Sequence, residues 1–126
     1  MIKAVIITGA IIIGLYLGAS YLLNSGEFDK FMDDHPDYKW IPAFEYYIGQ
    51  FHIIFGQWDR AIYRFSRIVE KYPKDKYAPL AQYSLATVYD QKDNRKLALQ
   101  EYQKLVEIYP DSPNVDIAEK RIAVLK

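Results

Sequence analysis

The nine residues FSRIVEKYP at 65–73 return as YQKLVEIYP at 102–110, and that spacing constrains the chain more than any other feature in it. Sliding the sequence against itself by 37 residues also sets Ile48 and Gly49 on Leu85 and Ala86, Ala61 on Ala98, Phe65 on Tyr102 and Pro73 on Pro110. One step further, Ala81 and Leu85 meet Ala118 and Ile122. One step back, Pro73, Tyr77 and Pro79 meet Pro36, Trp40 and Pro42, while Phe65, Ile68 and Val69 meet Phe28, Phe31 and Met32. A period of this length belongs to stacked helix pairs, which bury their apolar faces only against their neighbours. The fold class expected is all-α: about two helix pairs with a C-terminal capping helix.

Prolines punctuate the pattern. Pro42 and Pro79 suit helix starts, where a missing N–H costs nothing, and Pro36, Pro73 and Pro110 stop the helices before them. Helices are expected near 42–55, 58–71, 79–91, 95–108 and 114–125, with a short amphipathic helix at 27–34. The repeat register places Phe28, Phe31 and Met32 where a preceding repeat would have its second helix, so 27–34 is expected to cap the solenoid. In the last helix Val115, Ala118, Ile122 and Leu125 are expected inward, with Lys120, Arg121 and Lys126 near its end, where they complement the dipole.

Ahead of the repeats, AVIITGAIIIGLYLGASYLL at 4–23 runs for twenty residues without a charge. At 1.5 Å per residue that is about 30 Å, the thickness of a bilayer's hydrocarbon core. The expected organisation is a transmembrane anchor at 1–26, a capping helix and linker at 27–40, and a repeat domain at 41–126. A cleaved signal peptide is the competing reading, because Gly18-Ala19-Ser20 offers small residues for a peptidase. The run's continuation to Leu23 favours retention. Lys3 and the amino terminus favour a cytoplasmic N-terminus and an extracytoplasmic repeat domain. Within the span Ala10, Gly14 and Gly18 recur every four residues, a spacing that lets two membrane helices approach closely.

Composition removes several functions. Sixteen basic residues balance sixteen acidic ones, so nothing points to nucleic acid. The absence of cysteine excludes disulfides, thiolate metal sites, c-type haem attachment and a cysteine nucleophile. The chain holds no glycine-rich phosphate loop, no Gly-x-Ser-x-Gly and no His-Glu-x-x-His. His35 and His52 lie far apart in the repeat register, and the Asp33-Asp34-His35-Pro36-Asp37 cluster fits neither a calcium loop nor a zinc set. No enzyme, cofactor or metal is implied. Twelve tyrosines suit packed helical faces that keep a hydroxyl wet.

The repeated residues resemble the tetratricopeptide repeat family. Ile48, Gly49, Gly56, Trp58, Ala61, Phe65 and Pro73 fit one copy of its pattern, with His52 where an aromatic is usual. Leu85, Ala86, Tyr89, Ala98, Tyr102 and Pro110 fit a second, in which Asp93 and Arg95 replace the turn glycine and an aromatic. The segments KYPKDKYAPLA and IYPDSPNVDIA look most like bacterial envelope members, the outer-membrane assembly lipoproteins and cell-division coordinators. The resemblance implies a non-enzymatic adapter that binds other protein subunits of a membrane or envelope complex. A self-assembling homo-oligomer and a soluble periplasmic protein are the alternatives.

The resemblance also implies a concave groove lined by Ala43, Tyr46, Gln50, Ile53 and Ile54, then by Leu80, Tyr83, Thr87, Asp90 and Gln91, and by Ile117, Lys120 and Val124. Phe44, Ile48, Phe51 and Phe55 would then face the core. Tyr46, Ile53 and Ile54 suit either a partner segment or coverage by the chain itself. A clamp for a C-terminal carboxylate is not implied, since Tyr46, Gln50 and Tyr83 replace its lysine and asparagines. Arg60, Arg64, Arg67 and Lys71 form one basic stripe, suited to acidic headgroups or an acidic partner, or to a solvated face paired with Asp59, Glu70 and Asp75.

Overall fold

Helix limits follow the breakers closely. The computed structural model describes residues 1–126 as seven helices and no strand: α1 Ile2–Ser25, α2 Glu27–Asp34, α3 Ile41–Ile54, α4 Trp58–Lys71, α5 Tyr77–Gln91, α6 Arg95–Ile108 and α7 Val115–Leu125. They divide into two units, Met1–Lys39 and Trp40–Lys126. α5 begins two residues before the expected start. The Asp75 carboxylate accepts from the Tyr77 N–H at 2.8 Å and turns the chain into the helix early, which leaves Pro79 in the first turn.

In the first unit α1 has no buried residue and is long and apolar enough to cross a membrane. Its polar side chains bond back into the helix, Thr8 Oγ1 donating to the Ala4 carbonyl at 2.8 Å and Asn24 Nδ2 to Ser20 Oγ at 3.2 Å. Such bonds satisfy polar groups where no water can. Gly26, at φ 78°, closes α1 in the left-handed region that glycine enters without steric cost, and α2 starts beside it. His35 follows α2, donating from Nδ1 to the Phe31 carbonyl at 2.8 Å and stacking between the rings of Phe31 and Tyr38.

The second unit runs α3 to α7, each helix packed on the next. One core cluster joins Ala61, Phe65 and Ile68 of α4 to Ala78, Ala81, Leu85 and Val88 of α5. A second joins Ala86 of α5, Ala98, Tyr102 and Leu105 of α6, and Ala118 and Leu125 of α7. The inter-helix turns repeat as well. Gly56 has φ 66°, and Asp93, 37 residues later, adopts φ 59° in its place. Asn94 caps α6 by accepting from the Leu97 N–H at 3.2 Å. Arg95 reaches the C-terminal carbonyls of Val124 and Leu125 at 3.3 and 3.2 Å, so α6 supplies the cap of α7.

Candidate functional site

α3 is inverted. The side it turns into the protein carries Ile41, Glu45, Gly49 and His52, all buried, and Glu45 is only 1 % exposed. The opposite side carries Trp40 (43 % exposed), Tyr47 (61 %), Phe51 (45 %), Ile54 (78 %) and Phe55 (63 %). At 3.6 residues per turn these five and Phe44 fall within about 100° of arc, one continuous apolar ridge. The expected inward placement of Phe51 and Phe55 is therefore corrected. Their places in the core are held by a polar network that the register of the repeat did not reveal.

That network starts from Glu45. Arg64 Nη1 donates to its Oε2 at 3.1 Å and Arg67 Nε to its Oε1 at 2.5 Å, both arginines being buried with it. Tyr63 lies beside both guanidinium groups, 5.3 Å from Arg64 Cζ and 5.6 Å from Arg67 Cζ at its ring centroid. The basic stripe is thus corrected: Arg64 and Arg67 face Glu45, and only Arg60 and Lys71 stand exposed. Asp59 bonds to Lys92 in the next turn rather than to the stripe. One repeat later the same positions hold Gln82, Glu101 and Lys104, so the acid moves from the first helix of the pair to the second while a base stays at the third position. Gln82 Nε2 donates to the Glu101 carboxylate at 2.6 Å and carbonyl at 2.9 Å, and Lys104 donates to the carboxylate at 2.9 Å. No buried side-chain polar atom lacks a partner.

Gly49 is explained by its neighbour. A Cβ there would stand 2.5 Å from Phe65 Cε1, so glycine is what lets α3 and α4 approach. His52, also buried, donates from Nδ1 to Gln57 Oε1 at 2.7 Å. Burial holds its pKa below 6.5, against the Gln57 bond, and Arg64 and Arg60 push it further down.

The expected groove residues separate into three groups. Tyr46 and Ile53 pack on the first core cluster and Tyr83 on the second, so the chain itself covers much of them. Gln50 donates to Ser84 Oγ at 3.0 Å and ties α3 to α5. Ile54 is exposed at the edge of the outer ridge. Leu80 lines a cavity of about 410 Å³ with Lys76, Ile108, Tyr109 and Pro113. Thr87, Asp90 and Gln91 line another of about 350 Å³ with Tyr102 and Arg121. Arg121, expected to serve the end of α7, instead grips Asp90 through two bonds of 2.5 and 2.8 Å. That guanidinium holds the Asp90 carboxyl below the usual carboxylate range, and burial together with the Asp90 charge pushes the Tyr102 phenol up. Around Ala10, Gly14 and Gly18 in α1 the surface is open, a Cβ at either glycine meeting nothing within 4 Å.

No cluster of three or more His, Cys, Asp or Glu side chains that could hold a metal ion is present. The geometry is that of surfaces: a polar cavity between α5, α6 and α7, and an exposed aromatic ridge on α3. Comparison with curated protein sequences gives no match. A tetratricopeptide repeat family model matches residues 43–75 and 80–112, more than half of the chain, and the chain belongs to the tetratricopeptide repeat family.

Proposed function

We propose that the chain is a membrane-anchored adapter, with α1 in a bacterial inner membrane, its N-terminus cytoplasmic and the repeat unit outside. Tetratricopeptide repeats imply protein–protein interaction, and the family is generally non-enzymatic. The observation that carries the membrane part is α1 itself, 24 residues of apolar helix with nothing buried, joined to an interaction domain. The partners are other protein subunits of a membrane or envelope complex. A polar or acidic partner segment suits the cavity floored by Thr87, Asp90, Gln91 and Arg121, with Lys120 exposed on the same helix as Arg121.

Gentle detergent extraction of the tagged full chain from its native membrane, followed by mass spectrometry, tests this directly. The expected result is a chain that retains Met1–Ser20 and brings down defined membrane or envelope proteins. Filling the cavity by Thr87→Tyr should reduce that capture. A mature chain that starts at Tyr21, or a C-terminal reporter active only in the cytoplasm, overturns the topology.

A further inference from the structure

We propose that the aromatic ridge of α3 is a self-association surface that pairs with the same ridge of a second copy. The proposal uses the membrane anchor of the function proposed above and is independent of what occupies the groove. The repeat itself identifies the ridge as an interface position. Phe44, Tyr47 and Phe51 correspond, 37 residues on, to Ala81, Ser84 and Val88, which are buried where α5 packs among its neighbours. In α5 those small residues admit a neighbouring helix closely. In α3 the same places carry large rings, of which Tyr47 and Phe51 stand exposed.

The chemistry favours a copy of this chain over a lipid surface. α3 contains no lysine or arginine, and its one carboxylate and one imidazole, Glu45 and His52, are both buried. Helices that lie in a membrane interface depend on basic residues beside their apolar face. The segment between α1 and α3 instead carries Glu27, Asp29, Asp33, Asp34 and Asp37 against Lys30 and Lys39, a balance that an anionic leaflet repels. A face without charge meets its own image without repulsion, and two-fold pairing needs no second complementary surface. Side chains of roughly 150–250 Å² at these exposures leave on the order of 500–600 Å² of ridge per copy, so a pair would bury about 1,100 Å², near the lower end of stable interfaces. The anchor supplies the rest. Tethering in one membrane raises the effective concentration of one ridge at another.

The absence of cysteine makes the test specific. Tyr47 lies at the middle of the 40–54 stripe, so it falls nearest the two-fold axis whether the helices pair parallel or antiparallel. Tyr47→Cys in the full chain, oxidised in native membranes, should give a disulfide-linked homodimer, since such a bond requires Cα atoms within about 7 Å. Glu107→Cys, exposed on α6, should give at least tenfold less. Adding Phe51→Asp and Phe55→Asp should lower the Tyr47→Cys dimer at least tenfold while leaving the melting curve of the repeat unit in place, which separates lost association from lost folding. Adding Gly14→Leu and Gly18→Leu instead should leave the cross-link. The proposal is overturned if Tyr47→Cys stays monomeric or links to another protein, if Glu107→Cys links equally well, or if the span substitutions alone abolish the dimer. Quenching of Trp40 fluorescence by brominated lipid, with no dimer, would assign the ridge to the bilayer and likewise overturn it.

Discussion

Replacing Glu45 by glutamine keeps the size of the side chain and one acceptor oxygen but removes the charge that faces Arg64 and Arg67. All three side chains are at least nine-tenths buried, so water cannot take over the role of the carboxylate. Removing one partner of a buried ion pair costs about 3–5 kcal/mol. The glutamine carbonyl still accepts one bond, worth about 0.5–1.5 kcal/mol, which leaves a loss of about 2–4 kcal/mol. A domain the size of the second unit has roughly 4–13 kcal/mol in total, so its melting temperature should fall by roughly 10–30 °C. The second repeat supplies the control. Glu45→Gln combined with Arg64→Glu transplants the Gln82, Glu101 and Lys104 arrangement into the first repeat, with Arg67 in the place of Lys104. The double variant should recover to within about 1 kcal/mol of the parent, a coupling far larger than independent sites show. Urea unfolding followed by Trp58 fluorescence reads both, because Trp58 packs on the first core cluster. A single variant within about 0.5 kcal/mol of the parent, or a double variant no better than the single, would refute the reasoning.

Gly49→Ala should destabilise by about 1–2 kcal/mol, because overpacking against Phe65 outweighs the better helix propensity of alanine. In a Phe65→Leu background the penalty should nearly vanish, as thermal melts of the four variants will show. Asp93→Gly should raise stability by about 0.5–1 kcal/mol by relieving the left-handed backbone at φ 59°, and Asp93→Ala should lower it, both by the same melts. His52 has a lowered pKa when folded, so the unfolded chain binds the extra proton. Its contribution is complete above about pH 6.5 and declines as the pH falls below that value, with a slope of at most ~1.4 kcal/mol per pH unit. His52→Phe, which restores the family's aromatic, should flatten that acid limb in pH-dependent unfolding.

Much of the helical frame was legible because prolines and the 37-residue shift are local signals. Pro42 and Pro79 marked α3 and α5 to within two residues. The turn at Asp93 was also visible as a departure from the family's glycine, and the structure shows the chain keeping the backbone while changing the residue. The orientation of α3 was not legible by periodicity, for a physical reason. A helix apolar on nearly every side has almost no direction in its own pattern. Its inward face is decided by Glu45, and Glu45 is acceptable inside only because arginines 19 and 22 residues away reach it. The same long-range pairing misled the reading of α4, whose basic stripe was real in spacing but half buried in fact. In the groove, Tyr46 and Ile53 read from the sequence as apolar surface needing cover, and the first core cluster supplies part of it.

The inversion of α3 is most directly tested by the cost of truncating its two sides. Unfolding free energies of Phe51→Ala, Phe55→Ala and Ile41→Ala in the full chain, measured at several protein concentrations and extrapolated to high dilution, remove any contribution from association. Exposed side chains on the ridge should cost at most ~1 kcal/mol each, while the buried Ile41 should cost about 2–5 kcal/mol. Losses of about 3–5 kcal/mol at Phe51 and Phe55, with Ile41 tolerant, would place the aromatic side in the core and contradict the account.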